Sequence, residues 1–147
     1  MTRLRRFLRL SGTDQLLAVR TILVVVAVRL GLWCLPLKTV LKFVARAMQR
    51  RALSGATAAK LIWAVRASSR LVPHASCLTQ ALAAHLMFAR NGLDSDLCIG
   101  VARNEVGDFE AHAWLKHDGR VVIGDLPDLG RYAELPSLDL HSEGRFS

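Results

Sequence analysis

The spacing of the apolar residues changes once along this chain, and this change limits the class of fold that it can adopt. Up to about Arg90, apolar residues recur at intervals of three and four, as on helices that bury one side. From about Asp96 they alternate with polar residues, as in strands with one buried face. Turn-forming residues at 104–107 and 117–119 divide this second part into hairpins. The sequence therefore predicts an α+β fold, with helices first and a small antiparallel sheet after them.

Local start and stop signals place the elements. Ser11 and Asp14 are typical of a helix start, Pro36 ends the helix that follows, and Asn91-Gly92 ends the last helix. The predicted helices are 11–34, 37–53, 57–69 and 77–90, and the predicted strands are 96–103, 108–116 and 120–124. On the last helix, the predicted buried face carries Leu78, Leu82, His85, Leu86 and Ala89. Beyond Pro127 we expect a loop that Tyr132, Leu135 and Leu138 pack down.

Positive charge is concentrated in the first half of the chain. Residues 1–70 contain fourteen Lys or Arg and one acid, whereas residues 71–147 contain six bases and eleven acids. We divide the chain accordingly into a basic helical region, 1–70, and a core, 71–147, which together form one compact unit. An imbalance of this size indicates an acidic partner or an anionic membrane surface, although bases can also simply solvate apolar helices. One stripe at spacing four is formed by Lys38, Lys42, Arg46 and Arg50.

The cysteines and the apolar stretches bear on localisation. Three cysteines without paired spacing argue against a disulfide framework and favour the cytoplasm. Cys34 and Cys98 read as small core residues. The longest apolar runs are interrupted by Arg20 and Arg29, which would lie on opposite sides of a helix, so neither a membrane span nor a signal peptide is expected. Peripheral contact with the inner membrane face is compatible with the charge.

Cys77 opens the last predicted helix, His112 lies in the second strand, and Asp125 closes the third. A helix start favours a thiolate, an imidazole accepts its proton, and a carboxylate orients the imidazole. The residues thus predict a Cys-His-Asp nucleophilic site. Alternation places His112 and Trp114 on one face of the second strand, where the Trp excludes water or contacts substrate. The opposite face, expected in the core, carries Phe109, Ala111, Ala113 and Leu115.

Zinc is the main chemical alternative. His74, Cys77 and either His85 or His112 could act as ligands, but the sequence contains neither a CxxC pair nor an HExxH motif. We therefore predict no metal and no cofactor. His85 reads as partly buried on its helix, and the histidines expected in exposed loops are His74, His117 and His141.

Five segments together resemble one protein family, the leader peptidases of lasso-peptide biosynthesis. These are CLTQALA at 77–83, RNGL at 90–93, LCIGVAR at 97–103, FEAHAWL at 109–115 and GD at 124–125. The resemblance implies a transglutaminase-like (papain-like) cysteine-protease fold, in which a helix packs on the small sheet. It implies Cys77 as nucleophile, His112 as base and Asp125 as orienting carboxylate. Gln80 occupies a position where the family often has Arg. We predict that Gln80 and Trp114 contact the substrate.

The resemblance also implies an activity and its partners. Such a peptidase removes the leader from a ribosomally made precursor peptide, and a separate asparagine-synthetase-like cyclase then closes the ring. A separate recognition protein presents the leader, since this chain is too short to hold that module as well. Two alternatives stay open: a transglutaminase-like acyltransferase with the same triad, and a non-enzymatic basic binding module. Nucleic acid is not expected as a partner, because aromatic residues are scarce among the bases of residues 1–70.

Overall fold

A computed structural model describes residues 2–50 and 55–136 of the chain. Five helices precede the sheet: α1 (Thr2–Leu8), α2 (Gly12–Cys34), α3 (Leu37–Met48), α4 (Ala58–Ser69) and α5 (Cys77–Arg90). The strands are β1 (Asp96–Arg103), β2 (Phe109–His117), β3 (Arg120–Ile123) and β4 (Ala133–Glu134), and a 3-10 turn covers Leu129–Arg131. The strands form one antiparallel sheet in the order β3-β2-β1-β4. The predicted α+β class is confirmed.

Short polar side chains fix where three of the helices begin. The hydroxyl groups of Ser11, Thr57 and Ser76 each accept a hydrogen bond from a backbone N–H three residues later, at 3.2 to 3.4 Å. These caps start α2, α4 and α5. The turn between β2 and β3 is likewise determined by adjacent residues. Asp118 and Gly119 both take positive φ angles, of 50° and 75°. Two such residues define the tight turn that matches the twist of paired strands.

Helix α5 lies at the centre of the molecule. It packs against α2, α3 and α4 on one side and against β1, β2 and β3 on the other. Thr79 and every residue from Ala81 to Phe88 are buried, so the single apolar face predicted for this helix is too narrow. One continuous hydrophobic cluster contains Val25 of α2, Leu61 of α4, Leu82 of α5 and Leu115 of β2. The core therefore includes side chains from both charge regions of the chain.

Other predicted features differ from the structure. Helix α3 ends at Met48, well before residue 53, and Gln49 and Arg50 form a turn; residues 51–54 lie outside the described residues. The segment after Pro127 contains a 3-10 turn and a fourth strand that the sequence does not predict, because β4 pairs only two residues with β1. Leu135 is exposed there, and Leu138 lies outside the described residues.

Helix α2 has an outer face that no other described element covers. Its buried side carries Leu17, Thr21, Val25 and Val28, whereas Leu23, Leu30 and Trp33 are exposed. By length and composition this helix could cross a membrane, and 28% of its most apolar stretch is buried. Core helices of soluble proteins meet the same criterion. Cys34 at its end is exposed, which corrects its assignment to the core.

Strand β2 buries only its second half. Ala113 and Leu115 face the core as predicted, but Ala111 is exposed and Phe109 is 73% exposed. The core packed by α5 therefore ends at about Ala113. Trp114 points away from α5 and is nevertheless 3% exposed, since its ring lies against Gly100 on β1. A Cβ atom at position 100 would lie 2.7 Å from that ring, so only glycine leaves room for it.

Candidate active site

Cys77 is the first residue of α5 and lies half-buried at the margin of the hydrophobic cluster. The first backbone hydrogen bond of this helix runs from Gln80 N to Ser76 O, at 3.0 Å. Within the described chain, the N–H groups of Cys77 and Leu78 have no hydrogen-bond acceptor. Unpaired N–H groups and the helix dipole stabilise an anion at this position. The first turn of α5 therefore offers unpaired backbone donors beside the Cys77 side chain.

His112 is held by a hydrogen bond to the backbone. Its Nε2 lies 2.7 Å from the carbonyl oxygen of Gly124. A carbonyl can only accept a hydrogen bond, so Nε2 carries a proton, and in the neutral ring Nδ1 is the nitrogen that can accept one. This differs from the predicted arrangement, in which the Asp125 carboxylate accepts from the ring. Asp125 is exposed and follows directly after the carbonyl that takes its place.

Two aromatic rings flank the His112 imidazole. The Trp114 ring is stacked at a centroid distance of 6.1 Å, with 19° between the planes. The Tyr132 ring is tilted against it at 5.5 Å. The buried position of Trp114 leaves little of its surface for a substrate, so in this structure it supports the His112 ring. The contact with Tyr132 is not predictable from local sequence, because 20 residues separate the two.

An ion-pair cluster holds Tyr132 over the sheet. The Arg131 guanidinium donates to Asp128 at 2.6 Å, to Glu110 at 2.8 Å and to the Tyr132 hydroxyl at 3.1 Å. Because Glu110 is on β2, these bonds tie the 3-10 turn to the strand that carries His112. Desolvation raises the pKa of the Tyr132 phenol above its ordinary value of 10.0, so this side chain is neutral near neutral pH.

Helix α5 and strand β2 pack against each other, and each carries one of the predicted catalytic residues, Cys77 and His112. The Phe88 ring contacts the His117 ring at 5.1 Å, which ties the last part of α5 to the last residue of β2. Counting back from these rings, α5 rises about 16 Å to Cys77 and β2 rises about 16 Å to His112. Since Ile123 at the end of β3 pairs with Leu115, β2 has an open edge at the level of His112.

The three predicted catalytic residues are not joined to one another by hydrogen bonds. Within residues 2–50 and 55–136, Cys77 Sγ makes no hydrogen bond to His112 or Asp125, and Asp125 makes none to His112. The ring of His112 is on the sheet face away from α5, with Trp114 and Tyr132. Within the described residues, the thiol thus belongs to the first turn of α5, and the imidazole lies on the opposite face of the sheet.

The other cysteines differ from Cys77 in their surroundings. Cys98 is buried on β1, and burial, together with Glu134, raises the pKa of its thiol to about 11. A thiol with that pKa is protonated at neutral pH and is a poor nucleophile. Cys34 is exposed at the C-terminal end of α2, where the backbone offers carbonyl groups and no unpaired N–H donors. Among the three, Cys77 has the position that best suits a nucleophile.

The remaining predicted polar residues are also placed. Gln80 is half-buried, and its Nε2 donates to Ala75 O at 3.4 Å. His85 is buried, with Nδ1 2.8 Å from Ser95 Oγ. His117 is half-buried and bonded to Asp94 O rather than free in a loop, which corrects its prediction, whereas His74 is exposed. His141 lies outside the described residues. In the described ranges, no group of three or more His, Cys, Asp or Glu side chains could hold a metal ion.

Comparison with known proteins identifies the fold family. A family model described as Transglutaminase-like superfamily matches residues 22–137, a span that includes Cys77, His112 and Asp125. A search of curated proteins found no match, and a search of solved structures found none either. The match begins within α2, so it includes most of the basic helices as well as the sheet.

Proposed function

Because this chain belongs to the transglutaminase-like superfamily, we propose that it is a cysteine peptidase that removes the leader from a ribosomally made lasso-peptide precursor. The superfamily generally includes cysteine proteases and acyltransferases, which accounts for the chemical part of the proposal. The choice of a leader peptide as substrate rests on the five segments between residues 77 and 125 that resemble lasso leader peptidases.

The proposed reaction proceeds through a thioester. His112 Nδ1 takes the proton of the Cys77 thiol, and the thiolate attacks the carbonyl carbon at the junction of leader and core. The tetrahedral intermediate collapses when His112 protonates the departing amine, which is the new N-terminus of the core peptide. A water molecule, deprotonated by the same nitrogen, then attacks the thioester and releases the leader with a free carboxylate. The cyclase would use the free amine.

Two features of the described chain support this chemistry. The N–H groups of Cys77 and Leu78 can donate to the oxyanion of the tetrahedral intermediate, and one well-placed donor of this kind contributes about 3 to 4 kcal/mol in other enzymes. The observation that carries the proposal is the 2.7 Å hydrogen bond between His112 Nε2 and Gly124 O. It fixes the tautomer of the neutral ring in which Nδ1 is the base.

The proposal includes partners. A separate recognition protein presents the leader, and the released core passes to an asparagine-synthetase-like cyclase. The basic helices provide the docking surface, since Lys38, Lys42 and Arg46 are all exposed on α3. The exposed apolar residues of α1 and α2 favour peripheral contact with the anionic inner face of the membrane. The protein would then act in the cytoplasm close to that surface.

The test uses the precursor peptide and recognition protein encoded beside this chain, with products identified by mass. We expect the wild-type chain to release the intact core, and Cys77→Ala to release none while its circular dichroism spectrum stays unchanged. Cys34→Ala is the matched control, because it removes an exposed thiol elsewhere and should cleave like wild type. Cleavage by Cys77→Ala at the wild-type rate refutes the proposal.

The form of the product separates peptidase from acyltransferase. A peptidase yields the leader as a free carboxylic acid, whereas a transglutaminase-like acyltransferase yields it joined to an amine. The mass difference between the two leader products decides between them. A protein that binds precursor, yields neither product and has an unreactive Cys77 would be a basic binding module instead.

A further inference from the structure

A cleft with cationic walls lies beside the first turn of α5. It has a volume of about 280 Å³ and is lined by Arg66 and Ser69 of α4, by Arg70 at the end of that helix and by Gln80 of α5. Cys77 and Gln80 are three residues apart on α5, and side chains at this spacing lie next to each other on one helix face. The cleft therefore opens beside the thiol.

Contacts of Arg66 connect the same cleft to the other half of the site. One terminal nitrogen of its guanidinium donates to Val122 O on β3 at 2.9 Å. Val122 is two residues before Gly124, whose carbonyl accepts from His112. The cleft thus lies between the helix that begins with Cys77 and the strand that leads to the acceptor of His112.

The lining offers hydrogen-bond donors and positive charge without a balancing acid. Within the described residues, neither Arg66 nor Arg70 forms an ion pair, and none of the four lining residues is acidic. The contact with Val122 uses one of the five N–H donors of Arg66, which leaves most of its fork available. The lining also lacks aromatic rings on which a nucleotide base would stack.

We propose that Arg66 and Arg70 form an anion subsite that binds the carboxylate of an Asp or Glu side chain close to the scissile bond. A guanidinium matches a carboxylate through paired hydrogen bonds, and two of them flank this cleft. The inference rests on the proposed function in taking a peptide as the ligand. It adds that an acidic side chain on that peptide determines specificity, and it assigns Arg66 and Arg70 as the residues that recognise it.

The test measures how fast Cys77 is alkylated by two peptidyl iodoacetamides that are identical except for a Glu or a Gln next to the reactive group. The full-length chain carries Cys34→Ala, so that the exposed second thiol does not react. We expect the Glu probe to label Cys77 about tenfold faster than the Gln probe, the scale of one or two charge-assisted hydrogen bonds at an exposed site. Rates with plain iodoacetamide correct for changes in the thiol itself.

Arg70→Glu is the decisive variant, because Arg70 lacks the structural bond that Arg66 makes to Val122. The preference for the Glu probe, with each rate divided by that with plain iodoacetamide, should disappear or reverse. Arg120→Glu is the matched control, since it makes the same change of charge at the exposed start of β3 and should keep the tenfold preference. An equal preference in Arg70→Glu and in the parent overturns the inference.

Failure of the subsite and failure of the proposed function give different results. Alkylation requires an accessible thiol but no peptide cleavage. A chain that keeps the Glu preference but does not cleave precursor would refute the peptidase and retain the subsite. A chain that cleaves precursor but has no Glu preference would refute the subsite and retain the peptidase.

Discussion

The basic helices and the sheet region differ in how their charged side chains are paired. In residues 2–50 and 55–70 most of the described bases are exposed, and one ion pair, between Lys60 and Asp14, involves this part. In residues 71–136, Lys116 pairs with Glu134, and Arg131 pairs with both Glu110 and Asp128. Paired charges hold local geometry, whereas unpaired charges of one sign attract a partner. On this basis we propose that the sheet region performs the chemistry and that the helices dock partners.

Exposed apolar side chains show the same contrast. The helical region exposes many of them, with Trp33 the most exposed of its aromatic residues at 76%. An apolar helix face beside a row of bases is typical of a surface that meets anionic lipid or an acidic partner. The exposed apolar residues of this region are Leu4, Leu8, Leu16, Val19, Leu23, Leu30, Trp33, Leu35, Leu37, Phe43 and Trp63. Yet both regions share one core, so the division concerns surface and not folding.

The largest effect should come from the imidazole. His112→Ala should lower the rate of precursor cleavage about 10⁶-fold, the loss that follows removal of the base from a comparable triad. Binding to the recognition protein should not change, because the docking surface is elsewhere. His74→Ala makes the same substitution at an exposed histidine and should retain activity. A similar loss in both variants, or weakened binding in His112→Ala, would break the division between the regions.

Gly124 should be the most sensitive glycine of the sheet region. Its φ is 82°, and a Cβ atom there would lie 2.6 Å from Ala113 O, so Gly124→Ala combines backbone strain with a clash. We expect a loss of about 2 to 5 kcal/mol in the free energy of unfolding, measured by urea denaturation, together with lower activity as the acceptor of His112 moves. Gly107→Ala is the control, since Gly107 has a φ of 88° but open space around it. Equal losses in the two variants would show that the clash contributes nothing.

The stripe on α3 tests the docking role. Replacing Lys38, Lys42 and Arg46 by Glu should weaken binding to the recognition protein, and to vesicles with anionic lipid, at least about hundredfold, since each base near such a surface contributes about 1 kcal/mol. Cleavage of a short peptide that needs no partner should be unchanged. Arg120→Glu on β3 controls for net charge. If the triple variant still bound the recognition protein and the anionic vesicles like wild type, the basic stripe would only solvate α3.

The smallest effect should come from the ion pair in the helical region. The hydrogen bond from Lys60, and then that with Ser11, lowers the pKa of Asp14 below its ordinary value of 3.8. A lowered pKa in the folded state stabilises the fold above pH 3.8, and this contribution is lost as the pH falls through the folded value. Asp14→Asn should therefore be slightly less stable than wild type near neutral pH and equal to it in strong acid, by denaturant titration. A difference that does not depend on pH would contradict this.

The parts of the fold that depend on neighbouring residues were predictable from the sequence. Helix α5 begins and ends as expected, at Cys77 and Arg90, because Ser76 caps it and Asn91-Gly92 stops it. The turn at 117–119 was also predictable, since Gly119 adopts the positive φ that such turns require. These signals operate within a few residues, and they also placed His112 on the face of β2 away from Ala113.

The parts that depend on distant contacts were not predictable. Tyr132 reaches the His112 ring only because β4 adds two residues to the far edge of the sheet, too short a pairing to leave a sequence pattern. Gly124 supplies the acceptor for His112 through its backbone, and backbone carbonyls are the same in every residue type. The exposure of Cys34 likewise depends on which side of α2 the other helices cover.

The most direct test of the account is to trap the acyl-enzyme. The wild-type chain, the precursor and the recognition protein are mixed and quenched in acid, which preserves thioesters, and the intact mass and its site are determined by mass spectrometry. The account predicts a fraction of the chain heavier by the leader less one water, with the added mass on Cys77. Released core without any adduct on Cys77, together with full cleavage by Cys77→Ala, would contradict it.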